Sequence, residues 1–158
     1  MALEPATKDT AAALEPWFDR GWREVYGRGA VPVPDVGSWL AFPPAGGTMR
    51  LIMLGGAAIG FLVFAIGKGI LTIHELAVAP AHRNRVYGAE AVYALEAGEG
   101  SDCERACALV PRGNGLAIYF WLRIGYRPQF AADPAGVTFM IRDLDAAARS
   151  HPAVPSAP

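Results

Sequence analysis

From Leu51 to Gly67 the chain reads LIMLGGAAIGFLVFAIG, an unbroken uncharged run between Arg50 and Lys68. A run this apolar must be buried, either in a lipid bilayer or inside a protein core. It is near the lower length limit for a membrane-spanning helix, which needs about 20 residues. Gly56 and Gly60 even form the GxxxG pair that lets such helices approach. Gly55-Gly56 points the other way, because two glycines between two apolar runs suit a tight hairpin turn. The run therefore reads as two central, buried antiparallel strands, Met49–Leu54 and Ala57–Ile66, and no membrane span is expected.

A third strand, Ile70–Ala79, follows the turn Gly67-Lys68-Gly69 and completes an antiparallel meander. Leu71, Ile73, Leu76 and Val78 make it apolar, and Pro80 stops it. Val86–Ala97 then reads as a helix, free of proline, rich in alanine and followed by Gly98, a residue suited to a left-handed C-cap. The basic loop between strand and helix leads into a helix N-terminus, where free N–H groups and the helix dipole favour an anion. Gly98-Glu99-Gly100-Ser101 returns the chain to a strand at Cys103–Val110, which makes a βαβ unit with parallel strands.

Toward the N-terminus, Leu3–Ala6 offers a short first strand and Asp9 or Thr10 an N-cap. Leu14, Trp17, Phe18, Trp22 and Val25 mark one face of a helix that ends at Gly27 and Gly29, with Pro16 predicting a kink or a restart. The proline-rich stretch that follows reads as a loop carrying Trp39 and Phe42. Toward the C-terminus, Asn114 can cap a helix Gly115–Ile124 closed by Gly125. That helix is apolar nearly all round, which implies burial against the sheet or a partner and permits a homodimer. Tyr126–Phe130 and Val137–Asp143 form a hairpin around Asp133-Pro134-Ala135-Gly136. The pattern predicts one domain over residues 1–145 and a frayed tail over 146–158.

Composition narrows the partners. The net charge is -1, so there is no basic excess for binding nucleic acid through phosphates. Cys103 and Cys107 sit in one predicted strand, on one face and about 13 Å apart, too far to bridge. They read as reduced, packed thiols of a cytoplasmic protein, and His74, His82 and His151 are too scattered for a metal site, so none is expected. The N-terminus, MALEPATKDT, lacks the apolar core of a signal peptide.

Two segments tie this element order to a family. Val78-Ala79-Pro80-Ala81-His82-Arg83-Asn84-Arg85-Val86-Tyr87-Gly88-Ala89 resembles the loop V-x-P-x-x-(R/Q)-x-x-G-x-(G/A) of the GNAT acetyltransferase superfamily. Val86 stands where the first glycine is expected. Asn114 to Tyr126 is similar to that family's N-x-x-A-x-x-F-Y-x-x-x-G-F, matched by Asn114, Ala117, Phe120, Gly125 and Tyr126, with Trp121 replacing the usual tyrosine. The resemblance implies an α/β (α+β) fold: a mixed, mainly antiparallel sheet of about seven strands flanked by helices, its central parallel strands splayed apart.

It also implies acetyl-coenzyme A as co-substrate and direct transfer of the acetyl group to the primary amine of a small molecule or peptide. Amides of Asn84 to Ala89, namely Asn84, Arg85, Val86, Tyr87, Gly88 and Ala89, would cradle the pyrophosphate, with Arg83 and Arg85 adding charge. Leu76, Ala77 and Val78 would line the cofactor arm, with amides near Ala77 and Val78 serving as an oxyanion hole. Asn114, Ala117, Phe120 and Trp121 would hold the arm from the other side. Glu75, an acid in an apolar strand, is the first candidate for general base. His74, on the opposite face under strict alternation, is a weaker candidate, and Glu104 a third. With Trp121 in the tyrosine's place, the leaving thiolate takes its proton from Tyr87, Tyr126 or water, or departs without a dedicated acid. Trp39 and Phe42 are candidates for the acceptor pocket, whose aromatic lining favours an apolar or aromatic amine. Val86 and Trp121 also motivate a rival reading, a coenzyme A-binding or regulatory module of the same fold with impaired catalysis. The lack of a basic patch disfavours aminoacyl-tRNA as acceptor.

Overall fold

A computed structural model of the chain describes residues 1–26, 36–37, 43, 46–129 and 136–144. The chain runs β1 (Ala2–Pro5), α1 (Lys8–Tyr26), β2 (Thr48–Leu54), β3 (Ala57–Gly67), β4 (Ile70–Val78), α2 (Tyr87–Ala97), β5 (Arg105–Pro111), α3 (Gly115–Arg123), β6 (Arg127–Gln129) and β7 (Val137–Asp143). A 3₁₀ turn, Pro80–His82, links β4 to α2. The strands form one seven-stranded sheet in the order β1-β2-β3-β4-β5-β7-β6. Every neighbouring pair is antiparallel except β4 and β5, which are parallel. This is the mixed, mainly antiparallel sheet that the residue pattern and the resemblance predict. Trp39, Phe42, the first three residues of the β6–β7 turn and the tail lie outside the described residues.

The uncharged run forms β2 and β3, turned by Gly55 and Gly56 at φ 58° and 82°. Both of its faces are buried, which explains why it carries no charge. Ile52, Ile59, Leu62 and Phe64 join a core with Ala91, Val92 and Leu95 of α2 and Trp121 of α3. Leu51, Phe61 and Val63 join a second core on the other face with Leu14 and Phe18 of α1. Among the described residues no helix is long and apolar enough to cross a membrane.

Local signals held with four adjustments. Helix α1 opens at Lys8, so the cap is Thr7: its Oγ1 accepts from Thr10 N–H at 3.4 Å, while Thr7 N–H donates to Thr10 Oγ1 at 2.8 Å. The helix continues through Pro16 to Tyr26, anchored by its aromatic face; Phe18 stacks edge-on against Phe61 with ring centroids 5.2 Å apart. Gly98 caps α2 at φ -90° instead of in the left-handed region. Cys103 precedes β5 instead of lying within it, and both cysteines are buried and outside any disulfide.

Helix α3 departs further. Leu116, Tyr119 and Leu122 are exposed, and Trp121 is its buried residue. The helix packs along one stripe and leaves the opposite apolar face open.

Phe61, wholly buried and in ring contact with Trp17 and Phe18, ties the sheet to α1. Phe61→Ala is expected to cost about 3–5 kcal/mol in urea denaturation, since the surrounding rings cannot fill the cavity.

Candidate active site between two parting strands

The parallel strands pair only from Ile70↔Arg105 to Ile73↔Ala108. Beyond that point β4 stays with β3 to Val78, and β5 stays with β7 to Pro111. A gap therefore opens in the middle of the sheet. The cause lies in the register of β4: Glu75 faces Val63 and Ile73 faces Phe64, which leaves His74 as an extra residue. Such a bulge bends its strand and increases the local twist.

The bulge also resets the side-chain alternation. Ile73, Leu76 and Val78 face the α2 core, while Ala77 packs on the α1 core. Counting back from Leu76 puts Glu75 on the α1 side, and counting forward from Ile73 puts His74 there too. This corrects the expectation that the two point to opposite faces.

Hydrogen bonding shows which backbone groups look into the gap. Ala79 N–H donates to Ile59 O at 2.8 Å, which makes Gly60↔Val78 a non-hydrogen-bonded pair and Phe61↔Ala77 a bonded one. The Ala77 N–H is thus turned toward β3, against the expectation that it serves as an oxyanion donor. The N–H and C=O groups of Leu76 and Val78 point away from β3, into the gap. One neighbour already uses this edge: Arg83 Nε donates to Val78 O at 2.9 Å.

Glu75 lies deep in the fold, yet the residue keeps partial exposure, as a group lining an internal gap would. Burial pushes its pKa up to about 8, partly offset by the Leu76 N–H. Arg50 is not its counter-ion, because that guanidinium is bound to Glu99. Burial lowers the pKa of His74, whose Nε2 is enclosed without a hydrogen-bond partner.

The gap ends at two helix N-termini, since α2 follows β4 and α3 follows β5. Helix α2 has no side-chain cap, and its first internal bond is Glu90 N–H to Val86 O. The amides of Tyr87, Gly88 and Ala89 are therefore available to an anion. Val86 is exposed and holds the ordinary helical φ of -74°, so glycine's positive φ is not needed there. The left-handed residue is Asn84, at φ 58°, where the chain turns into the helix. A Cβ on Gly88 would meet Phe120 Cε2 at 3.3 Å, so glycine lets α2 lie close against α3. Asn84 and Arg85 are exposed beside these amides, but Arg83 is not. Its guanidinium folds back onto Val78 O and over Gly21 of α1, so it does not reach outward as a phosphate contact would.

On α3, Asn114 caps the helix, its Oδ1 accepting from Ala117 N–H at 3.0 Å. Phe120 is half-buried against Gly88, whereas Trp121 is 5% exposed and stacked edge-on against Tyr126. Trp121 is thus a core residue and not a lining of the gap. Tyr126 departs from its expected role as well. It is wholly buried and donates its hydroxyl hydrogen to Glu96 Oε1 at 2.7 Å. Burial and the Glu96 carboxylate push its pKa up, which leaves it unfit to deliver a proton near neutral pH. Burial raises the pKa of Glu96 as well, opposed by the Tyr126 hydrogen bond and by Arg142, whose guanidinium lies 3.2 Å away. Among the described residues no cluster of His, Cys, Asp and Glu could hold a metal ion.

Residues 11–126 match the family described as the acetyltransferase (GNAT) family. Comparison with curated proteins finds no match. Among solved structures, an acetyltransferase from Thermus thermophilus is similar at 24% identity and a TM-score of 0.76, over 90% of this chain and 96% of that one. An aminoglycoside acetyltransferase in complex with coenzyme A and kanamycin is similar at 20% identity and a TM-score of 0.72, over 94% and 98%. The PaiA N-acetyltransferase from Thermoplasma acidophilum, in complex with coenzyme A, is similar at 14% identity and a TM-score of 0.68, over 91% and 100%. At these identities the likeness is one of fold.

If Tyr126 is structural, Tyr126→Phe should lower stability by about 1–3 kcal/mol in urea denaturation at pH 7, because a buried carboxylate oxygen loses its donor. Affinity for coenzyme A, measured by calorimetry, should not change.

Proposed function

This chain belongs to the acetyltransferase (GNAT) family, and on that premise we propose that it moves an acetyl group from acetyl-coenzyme A directly to a primary amine in a ternary complex. The observation that carries the reading is the parting of β4 from β5 beside an uncapped helix N-terminus, with Glu75 at the edge of the gap. We assign this activity to a single domain over residues 1–145.

Acetyl-coenzyme A, when bound, supplies a thioester whose carbonyl carbon takes the amine nitrogen while the carbon–sulfur bond breaks. The amides of Tyr87, Gly88 and Ala89 hold the pyrophosphate at the positive end of α2, with Asn84 and Arg85 alongside. Val78 N–H, facing the gap, donates to the thioester oxygen as negative charge develops there. Glu75 accepts the proton that the amine must lose, directly or through water, and His74 stands beside it on the same face. Phe120 packs along the arm of the cofactor. Water or Tyr87 returns a proton to the thiolate. A small molecule or a peptide can serve as acceptor, entering from the α1 side, with Trp39 and Phe42 as candidates for its pocket.

Calorimetric titration with coenzyme A tests the binding half of the proposal, and the absence of heat would end it. Thiol release from acetyl-coenzyme A with a panel of primary amines tests the other half. Binding without release on any amine favours the non-catalytic module.

Glu75→Gln should bind coenzyme A normally and lose about 10²–10⁴-fold in thiol release. Since only the ionised carboxyl accepts a proton, wild-type kcat/KM should rise with pH through about 8, and the variant should lack that limb. The same shift acts on stability. The folded carboxyl keeps its proton up to about 8, whereas the unfolded one loses it near 4.5. Wild-type stability relative to Glu75→Gln should therefore fall as pH rises from about 5 to about 8, a trend that melting curves would reveal.

A further inference from the structure

Gly21 sits in the interior of α1, where glycine costs about 1 kcal/mol relative to alanine. A glycine there calls for a packing reason, and Arg83 provides one. Gly21 is buried, and a Cβ built on it would collide with Arg83 Nη2 and lie 3.5 Å from Cζ. The same guanidinium donates through Nε to Val78 O, a carbonyl that faces the strand gap. Arg83 is extended at φ -70° and ψ 166°, and the left-handed Asn84 follows it. The backbone therefore sends the arginine inward and turns at once into α2. One planar group spans the end of β4, the loop before the proposed anion site, and α1.

We propose that Arg83 is a positioning residue of the cofactor loop, seated on Gly21, and not a ligand of the phosphates. The inference rests on the coenzyme A binding proposed above. It assigns Gly21, which lies outside both motif segments, a part in cofactor affinity. Arginine suits this place because its rigid fork can donate from Nε while its flat face lies against backbone. Lysine would keep the charge but lose both features. Displacing the guanidinium frees Val78 O and loosens the turn at Asn84 that sets the direction of the Tyr87, Gly88 and Ala89 amides.

Calorimetry with coenzyme A on the wild type, G21A, R83K, R83Q and the G21A/R83Q double variant tests this without knowledge of the acceptor. Expected are losses on the order of tenfold for G21A, R83K and R83Q, with the double variant binding no more weakly than R83Q alone. Wild-type affinity in G21A, or losses that multiply in the double variant, would overturn the proposal. So would R83K binding like the wild type while R83Q does not, since that marks a phosphate contact made by charge. The R83K and R83Q comparison decides the matter even where G21A fails to fold, which melting curves show. A wild type that binds no coenzyme A would end the cofactor reading and this inference together. A wild type that binds with G21A unaffected removes only the inference.

Discussion

The structure depends on a pairing that stops. β4 and β5 run side by side for four residues and then separate, which strands a row of backbone N–H and C=O groups in the middle of the sheet. Buried backbone groups without partners are costly, so something must answer them. The chain answers one of them itself, as Arg83 Nε donates a hydrogen bond to Val78 O. The Leu76 C=O and the Val78 N–H also face the gap, and three residues before Val78 the strand carries the Glu75 carboxyl.

Placing a carboxyl there is possible because the rest of the sheet is over-determined. β2 and β3 bury both faces, one against α2 and the other against α1. The strand between them and the gap can therefore carry a bulge and an acid without losing its register. The Glu96, Tyr126 and Arg142 group does similar work away from the site: it pins α2 to the turn after α3 and to β7.

Much of this was legible in the residues. The uncharged run with Gly55-Gly56 gave the central hairpin, and the strand, basic loop and helix gave the parallel crossover. The bulge was written there too, though it is easily missed. Apolar positions in β4 fall at 71, 73, 76 and 78, and the step of three between Ile73 and Leu76 breaks the period of two. Reading the strand as regular put His74 on the wrong face. Tyr126 and Trp121 were misplaced for another reason: an aromatic residue in a motif looks the same whether it lines a cleft or fills a core. Only tertiary packing, with Glu96 waiting thirty residues earlier, decides between them. Arg83 was misread because charge suggests solvent or ligand. The small residue that receives it, Gly21, lies far away in sequence, and only the fold brings the two together.

The burial of Glu75 and the tryptophan at the motif's tyrosine position, Trp121, bear on one balance of protons in the proposed reaction. An alkylammonium releases its proton near the lysine value, about 10.4, and an ordinary glutamate takes one near 4.3. That transfer is uphill by about 6 units, or about 8 kcal/mol, a large share of any enzymatic barrier. With the carboxyl at about 8 the gap shrinks to about 2.4 units, or about 3 kcal/mol. The base must therefore be buried, and the bulge that turns Glu75 toward the α1 side of the gap is what makes burial compatible with access. The leaving group needs no such help, because a free thiol with a pKa near 8.5 already departs largely as the stable thiolate. For the proposed reaction these two constraints allow Trp121 to be buried in the core where the family's motif has tyrosine, and they place the larger demand on Glu75.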